Sequence, residues 1–280
     1  MRTLPKPTEN SGDVFDTCID MVSNTNLKVR LKATKLLIEN AASEFDGKVT
    51  TGELHHIIRE VIVNGNVSSK ELADVYTFRM AKLGTAGRQI YDKLKIAPKN
   101  GVCPLCSQRL VTTLDHHLPK TQYPRLSVVP FNLVPACSDC NKSKLTKYPT
   151  CSEEEMFHPY YDNIDNDLWL NALIRPMTPP TILFYVNPSA NWNTLLTGRI
   201  NYHFNSLELN KLYSTHAAVE LTQINQTLQS LFNNSGSSGV KNYLLEGYES
   251  RRYPNQNSWQ AAMYKAMADD EWFCNGGFIM

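Results

Sequence analysis

Two Cys-x-x-Cys pairs, Cys103 with Cys106 and Cys137 with Cys140, bracket an Asp115-His116-His117 triplet and Asn132, and Asn141 follows the last cysteine directly. Two such pairs carry four thiolates at a spacing that closes a tetrahedral zinc site. A metal with four protein thiolates has no open position, so its role is structural. The interval between the pairs is 30 residues, long enough to insert a hairpin that carries reactive groups. Structural zinc contributes roughly 10–16 kcal/mol of apparent binding free energy to folding, which a short irregular segment with little core requires.

The groups inside the bracket and directly after it suit a second chemistry. A histidine that is neutral near pH 7 can take a proton from water, an effect worth roughly 10²–10⁴-fold in rate. The carboxylate of Asp115 and the amide oxygen of Asn141 are hard ligands for Mg²⁺ or Mn²⁺, whose charge would offset that of a phosphate under attack. Together these groups are what hydrolysis of a phosphodiester needs. On a strand Asp115 and His116 would point to opposite faces, so they can address metal and water separately only where the strand ends or twists. The zinc would fix Asn141, one residue past the last thiolate, in place.

The elements that must hold these groups follow from periodicity. The chain up to about Lys99 reads as helical, with Leu27, Leu31, Ile38, Ala42 and Phe45 on one amphipathic face. Residues 50–53 (TTGE) and 68–71 (SSKE) look like helix starts, a hydroxyl residue ahead of a glutamate. Further helices are expected over residues 68–83 and 88–94, and residues 97–101 (APKNG) break the pattern. The motif segment reads as a zinc knuckle, a strand from Leu110 ending between Leu114 and His117, an irregular loop, and a helix starting near Ser138. Beyond it, residues 181–186 (TILFYV) look like a buried strand and residues 199–204 a partner for it. A long helix from Ser206 carries Leu209, Tyr213, Ala217, Leu221, Ile224, Leu228 and Leu231 on one stripe, residues 233–239 (NNSGSSG) read as a flexible break, and two short helices follow. The expected fold class is α+β, mostly helical, in three regions: a helical region 1–97, a motif region 98–165, and a mainly helical region 166–280 with a short strand pair. No internal repeat is evident.

The composition is that of an ordinary globular chain, 42% apolar and 20% charged over 280 residues. No apolar run approaches the ~18 residues of a membrane span, and the first residues, MRTLPKPTENSG, show no secretory signal. Paired Cys-x-x-Cys in such a chain reads as metal binding rather than a disulfide framework, with a cytoplasmic location expected. The net charge of +1 is unevenly spread. Residues 101–148 carry Arg109, Lys120, Arg125, Lys142, Lys144 and Lys147 against Asp115 and Asp139, a local positive surface that can steer a polyanion. Lys142, Lys144 and Arg125 are therefore the candidate DNA-binding residues, with a solvated helix face the plain alternative for the two lysines.

The segment resembles an HNH endonuclease with a ββα-metal core in its zinc-stapled form, carried by CPLC, LDHHLPK, NLVP and CSDCNKSK over about 50 residues. The resemblance implies His116 as general base, Asp115 and Asn141 as ligands of the catalytic Mg²⁺ or Mn²⁺, and Asn132 as the brace of the loop carrying His116. The register favours His116 over His117 as the base. More loosely, GRQIYDKLK, LDHHLPK and FHPYYDN look like the HNH subunits of Septu-type or retron-associated anti-phage systems, which implies a DNA-cutting effector whose helical flanks, region 1–97 among them, bind a partner, an ABC-type ATPase, that restrains or activates it. No Walker A motif is present, so that ATPase would act in trans. A different class remains open, a non-catalytic zinc module that binds nucleic acid or a partner protein. The joint presence of Asp115, His116, Asn132 and Asn141 argues against it.

Other candidates have plain readings. His158 could approach the site or simply pack, His55 and His56 read as surface or interface residues on a helix, and His203 and His216 read as structural. Tyr148, Tyr160 and Tyr161 could stack on bases, but core packing is the better reading.

Overall fold

A computed structural model of the chain describes residues 1–60, 62–63 and 66–279. The fold is α+β and mostly helical, and it divides into two compact units, Met1–Asn163 and Ile164–Met280.

In the first unit, α1 (Ser11–Ile19), α2 (Thr25–Lys32) and α3 (Lys35–Thr51) open the chain. Leu27 and Leu31 belong to α2, and Ile38, Ala42 and Phe45 to α3, so the single amphipathic face expected across them is divided between two helices. Residues 50–53 do not start a helix but end one. Gly52 closes α3 with φ 71°, a conformation in which glycine carries no Cβ penalty. The second expected start forms as read. After the short antiparallel pair β1 (Ile62–Val63) and β2 (Val67–Ser68), Ser68 and Glu71 make a reciprocal capping box on α4 (Ser69–Val75). That helix runs into a π-helical turn, Tyr76–Met80, and α5 (Gly87–Lys95) follows. His55 and His56 lie in a single 3₁₀ turn, Leu54–His56.

The motif segment then forms β3 (Thr113–His116), β4 (Leu133–Ala136) and α6 (Ser138–Lys144). The strands are antiparallel, with Asp115 opposite Val134 and His116 opposite Leu133. β3 starts later than expected because Leu110 is held in the knuckle, bridged to Val102. β4 occupies the stretch read from sequence as loop. One hydrophobic core joins the helical stretch to this segment: Phe15, Ile38, Phe45, Leu72 and Met80 cluster with Leu114, Leu118, Val129 and Leu133.

In the second unit β5 (Leu170–Arg175) pairs antiparallel with β6 (Thr181–Val186), Leu173 opposite Leu183. β6 is the strand expected, but its partner is β5. Residues 199–204 lie inside α7 (Thr194–Ser206), since the Asn193 side chain caps a helix there at Leu196 N. α8 (Leu209–Arg252) buries the predicted stripe from Leu209 to Leu228. The expected break reduces to one residue, Gly236, at φ 63° and ψ −161°, with helix on both sides. α9 (Trp259–Asp269) and a last turn, Phe273–Gly277, complete the unit. Among the described residues no helix is long and apolar enough to cross a membrane.

Candidate functional site

The four cysteines converge. Cys103, Cys106, Cys137 and Cys140 are buried, and their sulfurs lie within 4.8 Å of one another. Backbone donors face two of them, Arg109 N to Cys106 Sγ and Cys140 N to Cys137 Sγ, both at 3.4 Å. The second bond makes Cys137 the cap of α6. Hydrogen bonds from Cys103, Cys106 and Cys140 hold the Cys137 thiol far below the ordinary range. Arg109 Nε reaches Asp139 Oδ2 at 2.9 Å, tying the first knuckle to the helix that follows the second. Four converging soft donors with N–H···S support could hold a metal ion such as zinc.

Along β3 the alternation of side chains is visible in the environments. His116 faces the helical part of the unit. Its ring meets that of Tyr76 edge to face, with centroids 4.3 Å apart, and its Nε2 lies 2.9 Å from the carbonyl oxygen of Ser127. A carbonyl can only accept, so Nε2 carries the proton and Nδ1 is left as the basic nitrogen. Burial pushes the imidazole down to about 3, with Lys120 and Lys144 adding to the effect, so the ring is neutral at pH 7. Ser127 is itself fixed, its Oγ donating to Leu72 O of α4 at 3.0 Å. His117 lies elsewhere, its ring against Phe45 and 4.3 Å from that of His158.

Asn132 is fully buried and spends its amide on the loop between the strands. Its Oδ1 accepts from Leu118 N at 2.8 Å, and its Nδ2 donates to Leu118 O at 3.1 Å and Leu126 O at 3.0 Å. It thus closes the loop that presents the Ser127 carbonyl to His116.

Asp115 is buried, and its Oδ2 lies 3.1 Å from Nζ of Lys144, which also donates to the His116 carbonyl. Burial pushes the Asp115 carboxyl up, against the pull of the Lys144 ammonium. Asn141 is partly exposed, one turn before Lys144 and so on the same side of α6. Its side chain makes no hydrogen bond among the described residues.

The expected DNA contacts are placed unevenly. Lys142 is exposed. Lys144 is not on a solvated face at all: both it and Asp115 have side chains only 6% exposed, because the buried carboxylate draws the ammonium inward. Arg125 is engaged by Glu60, Nη2 to Oε1 at 2.7 Å. Half-buried Lys120 was not among the candidates, yet its Nζ lies 4.6 Å from the Tyr76 ring centre and 2.9 Å from Thr77 Oγ1. Tyr76 and Ser127 carry no sequence signal, one lying 40 residues before His116 and the other in a loop without a pattern.

The remaining histidines serve packing and pairing. His158 is fully buried, its Nδ1 accepting from Tyr160 N at 3.2 Å, and His55 Nδ1 meets the buried Glu155 carboxylate at 2.9 Å.

Compared with known proteins, the chain is 26% identical over 296 aligned residues to "Protein ea31" of Escherichia phage lambda, covering 99% of this chain and 100% of that protein. No protein-family model and no solved structure matches it.

Proposed function

We propose that the chain is a metal-dependent endonuclease of the HNH type that hydrolyses DNA phosphodiester bonds. The observation that carries this reading is the hydrogen bond between His116 Nε2 and Ser127 O, which leaves Nδ1 as the acceptor on a neutral ring. Two antiparallel strands followed by a helix, with Asp115 and His116 on the first strand and Asn141 on the helix, support the ββα-metal assignment. The donors suit a hard cation, since Asp115 offers a carboxylate that already attracts the Lys144 ammonium, and Asn141 offers an amide oxygen. A bound Mg²⁺ or Mn²⁺ supplies positive charge for the phosphate and the departing oxygen.

His116 takes a proton from water through Nδ1 as that water attacks phosphorus, and the phosphorus–oxygen bond on the far side breaks. Asn132 holds the loop that aims the ring. Ser127, anchored to Leu72, keeps the tautomer. Cys103, Cys106, Cys137 and Cys140 would hold a zinc ion, which would fix α6, and with it Asn141, relative to β3.

The family resemblance extends the proposal to an effector of anti-phage defence that acts with an ABC-type ATPase in trans. Co-purification with such an ATPase, and cleavage only in its presence, would support that extension. A second reading, a zinc module without catalysis, is favoured by one observation: the Lys144 ammonium already pairs with the Asp115 carboxylate.

Plasmid cleavage with Mg²⁺ or Mn²⁺, wild type against His116→Ala, separates the two. Cleavage by the wild type and its loss in a folded, zinc-loaded His116→Ala variant is the expected result. Undiminished cleavage in the variant would remove His116 from the mechanism, and silence from the wild type with every partner tried would favour the binding module.

A further inference from the structure

Asp115 and Lys144 pose a problem that the proposed chemistry alone does not solve. A carboxylate this deeply buried requires a counter-charge, and Lys144 supplies it through a 3.1 Å contact while donating to the His116 carbonyl. A divalent ion arriving at the same carboxylate would meet a nearly neutral pair and an ammonium a few ångströms away. Two cations cannot share one buried carboxylate at that distance without strong repulsion. The position of Lys144 in the chain offers a way out. It is the last residue of α6, and Leu145 follows at φ 50° and ψ −124°, with its own side chain exposed. Positive φ is unfavourable for a leucine, so the helix end is strained at the residue that must turn if Lys144 is to leave. Lys142 and Lys147 flank it in solvent, so the departing ammonium would join a basic surface.

We propose that Lys144 is a resident cation on Asp115 that competes with the divalent metal, so that metal binds by displacing the lysine from the carboxylate. The inference rests on the endonuclease reading for the assignment of Asp115 as a metal ligand. It makes Lys144 the residue that sets how much Mg²⁺ or Mn²⁺ the site demands. The released lysine is also placed beside the polyanion the site would cut.

The test is Mn²⁺ binding by the full-length, zinc-loaded protein, measured by calorimetry and by the metal-induced rise in Tm, which needs no cleavage readout. Replacing Lys144 by Met keeps the stem and removes the charge. Lys144→Met should bind Mn²⁺ at least about tenfold more tightly than the wild type, and its Tm should rise more on adding the ion. Asp115→Asn should bind Mn²⁺ far more weakly than either. Equal or weaker Mn²⁺ binding by Lys144→Met would overturn the inference.

Should Lys144→Met fail to fold, the wild type carries the test. Lys144 should resist acylation without a divalent ion and become reactive when Mg²⁺ saturates the protein, as read by mass spectrometry on the peptide that contains it. Unchanged protection at saturation would equally overturn the inference. Wild-type cleavage with Mg²⁺ alongside either negative result would leave the nuclease standing and remove only the competition. Absence of both Mn²⁺ binding and cleavage in the wild type and in Lys144→Met would instead sink the nuclease reading.

Discussion

The ring of Tyr76 meets that of His116 edge to face at 4.3 Å, and the Tyr76 hydroxyl donates to the carbonyl of Leu114 two residues before that histidine. Tyr76 begins the π-helical turn at the end of α4, a type of irregularity that recurs at functional sites. Ser127 makes a second link from the same helix, to Leu72 O through its hydroxyl and to His116 through its carbonyl. The candidate base is thus held from the helical part of the unit as well as from its own hairpin. Burial keeps the Tyr76 phenol protonated well above the ordinary range, so the hydroxyl remains a donor throughout the working pH range.

Replacing Tyr76 by Leu should therefore lower kcat about 10–100-fold with little change in KM, the loss expected when a base is misaligned rather than a substrate contact removed. Tyr76→Phe keeps the ring and should lose far less in rate, with about 1 kcal/mol of stability lost with the hydroxyl's bond. Single-turnover cleavage beside a thermal melt measures both effects. Equal kcat in Tyr76→Leu and the wild type would show that the contact only fills space.

How much of this was legible beforehand depended on the range of the interaction. Cys103, Cys106, Cys137 and Cys140 could be read as one cluster because a metal site demands ligands of fixed kind and spacing. The Ser68 start was legible because a capping box is completed within four residues. The same pattern at residues 50–53 misleads because two local signals compete there, and the left-handed cap at Gly52, its N–H donating to Lys48 O, ends the preceding helix. Tyr76 and Ser127 act across about 40 and 11 residues of sequence, where periodicity carries no signal. From sequence Lys144 looks like a DNA contact or a solvated charge because its partner is a buried acid on another element, although its spacing of three from Asn141 already puts both on one helix face.

The turn between Cys103 and Arg109 contains a backbone position filled by the wrong residue for stability. Ser107 sits at φ 53°, its N–H donating to Cys103 O at 2.8 Å, and its buried Oγ has no partner among the described residues. Glycine adopts this conformation without the Cβ penalty and removes the orphan hydroxyl. Ser107→Gly should stabilise the first unit by about 0.5–1 kcal/mol, a rise of about 1–4 °C in its Tm. Calorimetry on the zinc-loaded protein reads it directly, and a lower Tm would show that the hydroxyl finds a partner in solution.

Acid should weaken the helical part of the unit through Glu71. The guanidinium of Arg30 and the backbone N–H of Ser68 hold its carboxyl at about 2. The same carboxyl titrates near 4.3 in an unfolded chain. Its folded value is the lower one, so its contribution is complete above about pH 5 and disappears as the pH falls toward 2. The pair is partly solvated, at about 30% exposure for each side chain, so the contribution is about 1 kcal/mol rather than the full Coulombic value. Urea denaturation of wild type and Glu71→Gln at pH 7 and pH 3 should give a difference of that size at pH 7 that shrinks by pH 3. A difference independent of pH would assign the effect to packing.

The four-cysteine cluster makes the strongest demand on the fold. β3, β4 and α6 together span few residues, and Cys137 is at once a sulfur of the cluster and the cap of α6. Losing the metal would leave four buried sulfurs to repel one another as thiolates or to be buried unliganded as thiols, either at a cost the short hairpin cannot offset. Cys137→Ser should lower the stoichiometry of bound zinc from one to near zero and melt the first unit well below the wild type. The Ile164–Met280 unit, which holds none of the four cysteines, should melt unchanged. A chelator should reproduce the effect in the wild type, and more readily as the pH falls, because each thiolate must lose its metal to gain a proton. Metal analysis with two-transition calorimetry checks all three points, and retention of the first transition after complete zinc removal would show that the hairpin folds on its own core.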